Sequence, residues 1–182
     1  MRRPLAIAGS ALFFVLAPVT VAGLVPYWIC CWRFEHLSIA WIPARVFGAV
    51  LVIVGALTLL DSFARFALKG LGTPAPVFPT RHLVVSGLYR FVRNPMYVAI
   101  LAIVLGQGLM FGNVRLLGYG AVLWLTFHLF VLVYEEPTLR RTFGAEYESF
   151  CASVPRWIPQ WNPWRPLDAK SEMRTDVRHT RE

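Results

Sequence analysis

Two short polar segments of this sequence carry residue types that can bind a ligand with several charged groups. The first segment contains an arginine, an amide and two phenols, and the second is a pair of adjacent carboxylates: Tyr89, Arg93, Asn94 and Tyr97, then Glu135 and Glu136. A guanidinium can bind a carboxylate, a phenol ring can face a cation, and a carboxylate can bind a cationic or hydroxyl group. In the sequence, the first segment precedes the last hydrophobic hairpin and the second follows it, so their distance in space depends on how that hairpin folds.

The composition predicts an all-α, polytopic integral membrane protein. The 182 residues are 57% hydrophobic and only 15% charged, whereas charged residues make up about 25% of an ordinary soluble domain. A helix needs about 20 apolar residues to cross a bilayer, and four runs approach that length: residues 5–24, 45–60 with an extension towards 68, 96–111 and 116–134. We therefore predict about four transmembrane helices in a single domain over residues 1–165, with a polar, disordered tail over residues 166–182.

The first apolar run has an alternative interpretation. Met1, Arg2 and Arg3 followed by apolar residues also begin a secretory signal, whose apolar region is about 7 to 15 residues long. This run continues beyond that length, with no sharp small-residue cleavage site before Pro26. The pattern favours a retained helix.

The basic residues predict how the chain is oriented. If the N-terminus is cytoplasmic, all but three of the 18 Lys and Arg residues lie on the cytoplasmic side, the exceptions being Arg33, Arg45 and Arg115. The positive-inside bias then places both termini and both polar segments at the cytoplasmic face of the cell membrane. Because the basic residues flank apolar runs, they do not indicate nucleic-acid binding. The three cysteines lack the spacing of a metal site, so no metal is predicted.

The last hairpin should bring the two polar segments together. The connection over residues 111–115 is short enough to make the third and fourth runs antiparallel neighbours. Arg93 and Asn94 at the start of one helix then face Glu135 and Glu136 at the end of the other. Two carboxylates at a helix C-terminus oppose the helix dipole, so a cation should compensate them. The alternative is a snorkelling arginine, an interfacial tyrosine and solvated glutamates.

Two further polar features lie within the apolar runs. His128 precedes Glu135 by seven residues, and ionisable residues inside a membrane span are often functional. The alternative is that His128 forms a hydrogen bond to a neighbouring helix, with Gln107 as its partner. Asp61 and Arg65, four residues apart, predict an ordinary pair on a helix surface.

The segments between and after the helices are predicted to cover the cytoplasmic face. Residues 70–79 are too rich in Pro and Gly for a helix and should run extended, and residues 83–85 should form a short strand. Pro137 is expected to break or kink the fourth helix. Beyond it, the helical spacing of four apolar residues predicts an amphipathic interfacial helix that covers the polar segments: Leu139, Phe143, Phe150 and Val154.

An ordered set of motifs over about residues 80–160 resembles the isoprenylcysteine carboxyl methyltransferase family and the related membrane phospholipid methyltransferases. The resemblance does not rest on one element but on the order and spacing of the set. Its members are residues 82–89 (HLVVSGLY), residues 93–97 (RNPMY), Glu135-Glu136, Leu139, Phe143-Gly144, Tyr147, Val154-Pro155 and Pro159.

The resemblance implies a helical membrane fold that binds S-adenosylmethionine on the cytoplasmic side and passes its methyl group to a lipid-borne acceptor. By position, it implies cofactor contacts at Tyr89 and Tyr97, whose rings can face the adenine or the sulfonium, and the charge of the neighbouring Arg93 suits the cofactor carboxylate. The remaining implied cofactor contacts are Arg81, His82, Leu83, Val84, Asn94, Pro95, Met96 and Glu135. No metal is needed for this chemistry.

Two positions depart from the family pattern. The family usually has His where this chain has Asn94, and the prenylcysteine enzymes have an Arg for the acceptor carboxylate where this chain has Val131. The lack of an arginine at Val131 disfavours a prenylcysteine acceptor. It leaves Glu136, Arg140 and His128 as candidates on the acceptor side. The sequence thus predicts a methyltransferase that acts on a lipid or amphiphile, by carboxylate O-methylation or amine N-methylation. A non-catalytic scaffold or cofactor sensor that retains the fold is the alternative.

Overall fold

The computed structural model describes residues 16–35, 38–69 and 85–164, and all regular structure within these ranges is helical. The predicted all-α class is therefore confirmed for this part of the chain. Of the predicted strand, Leu83 and Val84 lie outside the described residues, and Val85 is not in a strand. The extended segment over residues 70–79 and the tail over residues 166–182 also lie outside the described residues.

The first two helices are longer at one end than predicted. Helix α1 (Leu16–Cys30) includes a π-helical turn at Thr20–Leu24 and continues six residues past the predicted end. It ends at Cys31, which adopts a left-handed conformation with φ of 50°. Helix α2 (Ile42–Lys69) follows a short 3₁₀ turn, and its length confirms the extension predicted for the second run.

The third and fourth runs form the predicted antiparallel hairpin. Helix α3 (Pro95–Phe111) ends at Gly112, whose φ of 73° allows the tight turn. Asn113 then caps helix α4 (Val114–Phe130), because its side chain accepts hydrogen bonds from the backbone N–H groups of Arg115 and Leu116, the second and third residues of the helix.

The fourth run does not break at Pro137. A π-helical turn at Val131–Glu135 leads directly into helix α5 (Glu136–Phe143), so the chain stays helical from Val114 to Phe143. Pro137 lies in the first turn of α5, where a missing backbone N–H costs little. The predicted break is therefore absent, and the chain instead has a π-helical turn just before Pro137.

The predicted amphipathic helix is instead two helices. Gly144, with a φ of 52°, separates α5 from helix α6 (Ala145–Ser153). The apolar residues behind the prediction still gather in one cluster, in which Phe150 and Val154 are buried beside Tyr147. A change of backbone direction at Gly144 therefore replaces the continuous helix while keeping its apolar contacts.

Helices α2 and α3 form the most extensive interface of the fold, and glycines make it possible. A Cβ atom on Gly48 would lie 2.5 Å from the carbonyl oxygen of Gly106, and one on Gly55 would lie 2.8 Å from that of Ala99. The two backbones are therefore in direct contact, as small residues permit between membrane helices. Val104 of α3 is completely buried beside this interface.

Gln107 joins α1 to α3 and is not a partner of His128, so the predicted pairing of these two residues is wrong. Its Nε2 donates to the carbonyl oxygen of Ala22 at 2.7 Å, and its Oε1 accepts from Trp32 Nε1 at 3.2 Å. A buried amide needs such partners, and α1 supplies one of them while Trp32, just beyond the end of α1, supplies the other.

Within the described residues, two helical spans are long and apolar enough to cross a membrane: Ile39–Arg65 and Val114–Phe143. Helices α1 and α3 are apolar but shorter. The outer faces of α2 and α4 expose large apolar side chains such as Ile53, Leu57, Val122 and Leu129. Such faces suit a lipid environment.

We expect Gly48→Leu to destabilise the fold and Gly118→Leu to leave it intact. The first change forces a side chain into the backbone of α3, which should lower the free energy of unfolding by about 2 kcal/mol or more. Gly118 has nothing within 4 Å of its Cβ position, so it serves as the matched control. Thermal unfolding in detergent measures both variants; equal melting temperatures would show that the close approach is not required.

Candidate functional site

The two predicted polar segments meet at one end of the α3–α4 hairpin. Tyr97, on the first turn of α3, donates from its hydroxyl to Glu135 Oε2 at 2.9 Å. Arg93, just before α3, donates from Nη1 to Glu136 Oε1 at 3.1 Å. The predicted meeting of the two segments is confirmed, and the predicted compensation by a cation is confirmed for Glu136 but not for Glu135.

Glu136 is held between two guanidinium groups. Arg156 donates from Nε to Oε1 at 2.7 Å and from Nη2 to Oε2 at 3.0 Å, in addition to the bond from Arg93. The residue is only 6% exposed. A buried carboxylate with this many charge-assisted hydrogen bonds is fixed in place. The predicted acceptor-side residue Glu136 thus has both oxygens engaged within the protein.

Glu135 has a different environment, although it is adjacent in sequence. Within the described residues, its carboxylate forms no ion pair with a guanidinium and accepts a hydrogen bond from Tyr97. The Tyr97 ring is itself positioned by Phe127, with ring centroids 4.7 Å apart. Among the described residues, Glu135 is therefore ordered by a neutral partner, and no guanidinium neutralises its carboxylate.

Tyr89 completes the surroundings of Glu135. It lies in a 3₁₀ turn (Gly87–Arg90) that precedes α3. Burial, and to a smaller extent the negative charge of Glu135, raise the pKa of Tyr89 above its ordinary value. The phenol is therefore neutral at physiological pH and can act as a hydrogen-bond donor beside the carboxylate.

The helical geometry separates the two glutamates. Successive residues in a helix point in directions about 100° apart, and Glu135 ends the π-helical turn while Glu136 begins α5. Val131, at the start of that turn, is 1% exposed. The position at which the resembled enzymes carry an arginine is thus buried here and presents no charge.

Residues 154–164, which we call the C-terminal strap, run across the start of α3. Backbone N–H groups of Arg93, Gln160 and Trp164 form hydrogen bonds of 2.9 Å to carbonyl oxygens across this contact: Arg93 to Pro155, Gln160 to Phe91, and Trp164 to Arg90. The side chain of Asn94 also donates to the Arg156 carbonyl oxygen at 3.2 Å. The strap thereby brings Arg156 to Glu136, and the side-chain amide of Asn94 helps to hold the strap backbone at Arg156.

His128 is bonded to the strap. Its Nδ1 accepts from Trp157 Nε1 at 3.1 Å, and its ring stacks on Trp124 with centroids 5.2 Å apart. The interpretation of His128 as a hydrogen-bonded link between segments fits this geometry, with Trp157 as the partner. Because an indole N–H can only donate, the neutral His128 ring carries its proton on Nε2.

The remaining predicted residues are spread around the site. Arg140 is exposed on α5, away from the bonds that hold Glu136. Pro95 is buried at the start of α3, and Met96 packs against the core cluster. Arg81, His82, Leu83 and Val84 lie outside the described residues. Within the described ranges, no three His, Cys, Asp or Glu side chains are grouped as metal ligands would be.

Sequence reasoning missed Arg156 and Trp157. The paired carboxylates indicated a need for a cation, but Arg93 already supplies one, so nothing in the sequence assigned Arg156 to Glu136 as well. Pro155 further restricts Val154 to extended backbone, which favours a strap over a continued helix. No comparable signal marked Trp157 as the partner of His128.

Comparisons with known proteins identify a family and relatives for this chain. Residues 43–146 match the phospholipid methyltransferase family. A protein-S-isoprenylcysteine O-methyltransferase from Schizosaccharomyces pombe is 38% identical over 78 residues, which are 42% of this chain and 33% of that protein. A probable protein-S-isoprenylcysteine O-methyltransferase from Oryza sativa subsp. indica is 35% identical over 128 residues, 69% of this chain and 66% of that protein. The chain thus spans about a third of the first relative and just under two thirds of the second. No solved structure shows a significant match.

We expect Glu136→Gln to destabilise the protein far more than Asp61→Asn. The first change leaves two guanidiniums without their buried counter-charge, at a cost of about 3 kcal/mol or more. The Asp61–Arg65 pair, with bonds of 2.8 Å, is more than a third exposed, so its loss should cost at most about 1 kcal/mol. Denaturant unfolding in detergent compares the two, and similar losses would contradict the anchoring role of Glu136.

Proposed function

The chain belongs to the phospholipid methyltransferase family, and on that premise we propose that it is a membrane methyltransferase that uses S-adenosylmethionine to methylate a lipid-borne or amphiphilic acceptor. The observation that carries the proposal is the unequal use of the paired glutamates. Glu136 is bound by Arg93 and Arg156, whereas Glu135 accepts a hydrogen bond from the neutral Tyr97 and is paired with no guanidinium among the described residues. Among those residues, one carboxylate is therefore fixed by ion pairs and the other can bind a cationic ligand.

The residues around Glu135 fit the chemistry of S-adenosylmethionine. The cofactor carries a sulfonium, an ammonium and ribose hydroxyls, which a carboxylate and phenol rings can bind. We propose that Glu135, Tyr89 and Tyr97 contact the cofactor, together with Asn94, Pro95 and Met96 at the start of α3. Arg81, His82, Leu83 and Val84 are proposed contacts on the strength of the family resemblance alone.

Arg93 takes a second role in this proposal. Its Nη1 donates to both Glu136 Oε1 and Cys151 Sγ, the latter at 2.9 Å. We propose that Arg93 mainly fixes the start of α3 and lends positive potential to the cofactor carboxylate. Glu136 likewise positions the neighbouring Glu135, because its own oxygens are engaged by guanidiniums.

His128 and Arg140 are the proposed groups on the acceptor side. His128 offers an Nε2–H donor, since its Nδ1 is bonded to Trp157. Arg140 offers an exposed cation on α5. Methyl transfer is a direct displacement, so the protein mainly aligns the acceptor and excludes water. The C-terminal strap, which covers the start of α3, suits that second task.

The proposed membrane arrangement has four spanning helices, α1 to α4, with the site and both termini on the cytoplasmic side of the cell membrane. The positive-inside distribution of Lys and Arg supports this orientation. Helices α5 and α6 would lie at the interface, and the polar tail over residues 166–182 would extend into the cytoplasm. Apolar outward faces on α2 and α4 support contact with lipid.

A lipid-linked carboxylate is the acceptor that the relatives favour, because both are named isoprenylcysteine O-methyltransferases. An amine acceptor is the second candidate, because the buried Val131 provides no counter-charge for a carboxylate. The two acceptors give products with different chemical stability.

We expect Glu135→Gln to weaken the binding of S-adenosylhomocysteine by roughly ten-fold to one hundred-fold, the effect of losing a charged hydrogen-bond acceptor. Glu146→Gln removes the same charge from an exposed position on α6 and should leave binding unchanged. Isothermal titration of the purified protein in detergent measures both. Equal affinities of Glu135→Gln and the wild-type protein would exclude Glu135 from the cofactor site.

The product of the reaction distinguishes the two acceptors. We expect membranes that contain the protein to incorporate labelled methyl groups from S-adenosylmethionine into extractable lipid, and base treatment to release them as volatile methanol if the acceptor is a carboxylate. N-methyl groups would remain with the lipid. Membranes that contain Glu135→Gln serve as the control, and incorporation unchanged in that variant would contradict the proposal.

A further inference from the structure

A cleft of about 510 Å³ lies beside the 3₁₀ turn, and neither Glu135 nor Tyr89 is among the residues that line it. Its walls come from the cytoplasmic end of α2, from the 3₁₀ turn and from Pro163 of the C-terminal strap. A volume of this size is within the range of small-ligand sites. None of the residues proposed for methyl transfer lines the cleft.

The 3₁₀ turn explains why the cleft is separate from the proposed methyl-transfer site. In a 3₁₀ helix, residues three apart lie on the same side, and two of the three sides line the cleft, one through Gly87 and Arg90 and the other through Leu88 and Phe91. Tyr89, between them, does not line it and instead lies near the charge of Glu135. One turn of backbone therefore forms a wall between two sites.

The cleft is apolar at one end and charged at the other. Leu57, which is 62% exposed, continues the lipid-facing surface of α2 into the cleft. One turn and two turns further along α2, Asp61 and Arg65 add an ion pair to the lining, and Arg90 of the 3₁₀ turn adds a second guanidinium. The order from apolar to charged residues matches the order from acyl chain to head group in a bilayer leaflet.

The charges of the cleft select an anion. Two guanidiniums face one carboxylate, so the lining carries one excess positive charge. Asp61 occupies Nε and Nη2 of Arg65, and Trp164 accepts from Nε of Arg90 at 2.7 Å. The remaining guanidinium nitrogens are suited to the oxygens of a phosphate.

We propose that this cleft binds one anionic phospholipid of the surrounding bilayer, with its phosphate beside Arg65 and Arg90 and an acyl chain against Leu57 and Phe91. The proposal rests on the membrane placement given above and goes beyond the proposed methyl transfer, because this lipid is a bound component and not the acceptor. The bound lipid would contact both α2 and the 3₁₀ turn from the side of the bilayer, and Tyr89 would not contact it.

Native mass spectrometry of the detergent-solubilised full chain, titrated with dioleoyl phosphatidylglycerol or dioleoyl phosphatidylcholine, tests the charge requirement. We expect one tight phosphatidylglycerol adduct and no equivalent phosphatidylcholine adduct. Asp61→Asn should tighten the adduct and Arg65→Gln should weaken it, each roughly five-fold, as one charge near an anionic head group does. Arg141→Gln removes an exposed charge from the same end of the protein and should change nothing. A gain of affinity in Asp61→Asn cannot result from misfolding.

A second pair of variants tests the location. Thr58→Phe places a ring in the cleft and should abolish the tight adduct, whereas Leu60→Phe adds the same ring to the exposed lipid-facing surface of α2 and should preserve it. Equal affinity for the two lipids, equal losses in Arg65→Gln and Arg141→Gln, or an unchanged adduct in Thr58→Phe would each overturn the proposal. S-adenosylhomocysteine titrations of the same variants report separately on the proposed methyl-transfer site.

Discussion

The carboxylate of Glu136, held between Arg93 and Arg156, is the interaction on which the arrangement of the site depends. The three members of this ion cluster belong to three different parts of the chain: Arg93 to the approach to α3, Glu136 to the start of α5 and Arg156 to the C-terminal strap. Removing charges from water is costly, and only the completed set of hydrogen bonds recovers that cost. The ion cluster therefore forms in full or not at all, and it forces the strap, the hairpin and the turn into one relative position.

The rest of the scaffold supports that position from the other side of α3. The glycines of α2 allow its backbone to touch α3, so the end of α3 that carries Tyr97 cannot tilt without disturbing this contact. Gln107 adds a hydrogen-bonded link to α1. Helix α3 is thus packed on one side by α2 and paired on the other with α4, which suits the helix that carries most of the proposed cofactor residues.

The parts of the fold that follow from local pattern were predictable. The limits of α2 and α3 follow from uninterrupted apolar runs, and the hairpin follows from a short connection with Gly112 and Asn113. Its antiparallel geometry was enough to predict that Arg93 and Tyr97 lie near the glutamates. The different roles of Glu135 and Glu136 were not predictable, because they depend on Arg156, twenty residues away on a strap without helical periodicity. The same reason applies to His128, whose partner Trp157 lies on that strap, and to the π-helical turn, which local sequence does not distinguish from an ordinary helix.

The backbone hydrogen bonds of the C-terminal strap have an evolutionary consequence. Because Pro155, Gln160 and Trp164 are placed by main-chain atoms, most side chains between them can change without moving Arg156 or Trp157. An insertion or deletion in this stretch would shift the register of every later bond and separate the guanidinium from its carboxylate. Among descendants of this sequence, the strap should therefore vary in residue type outside Arg156 and Trp157 while its length stays constant.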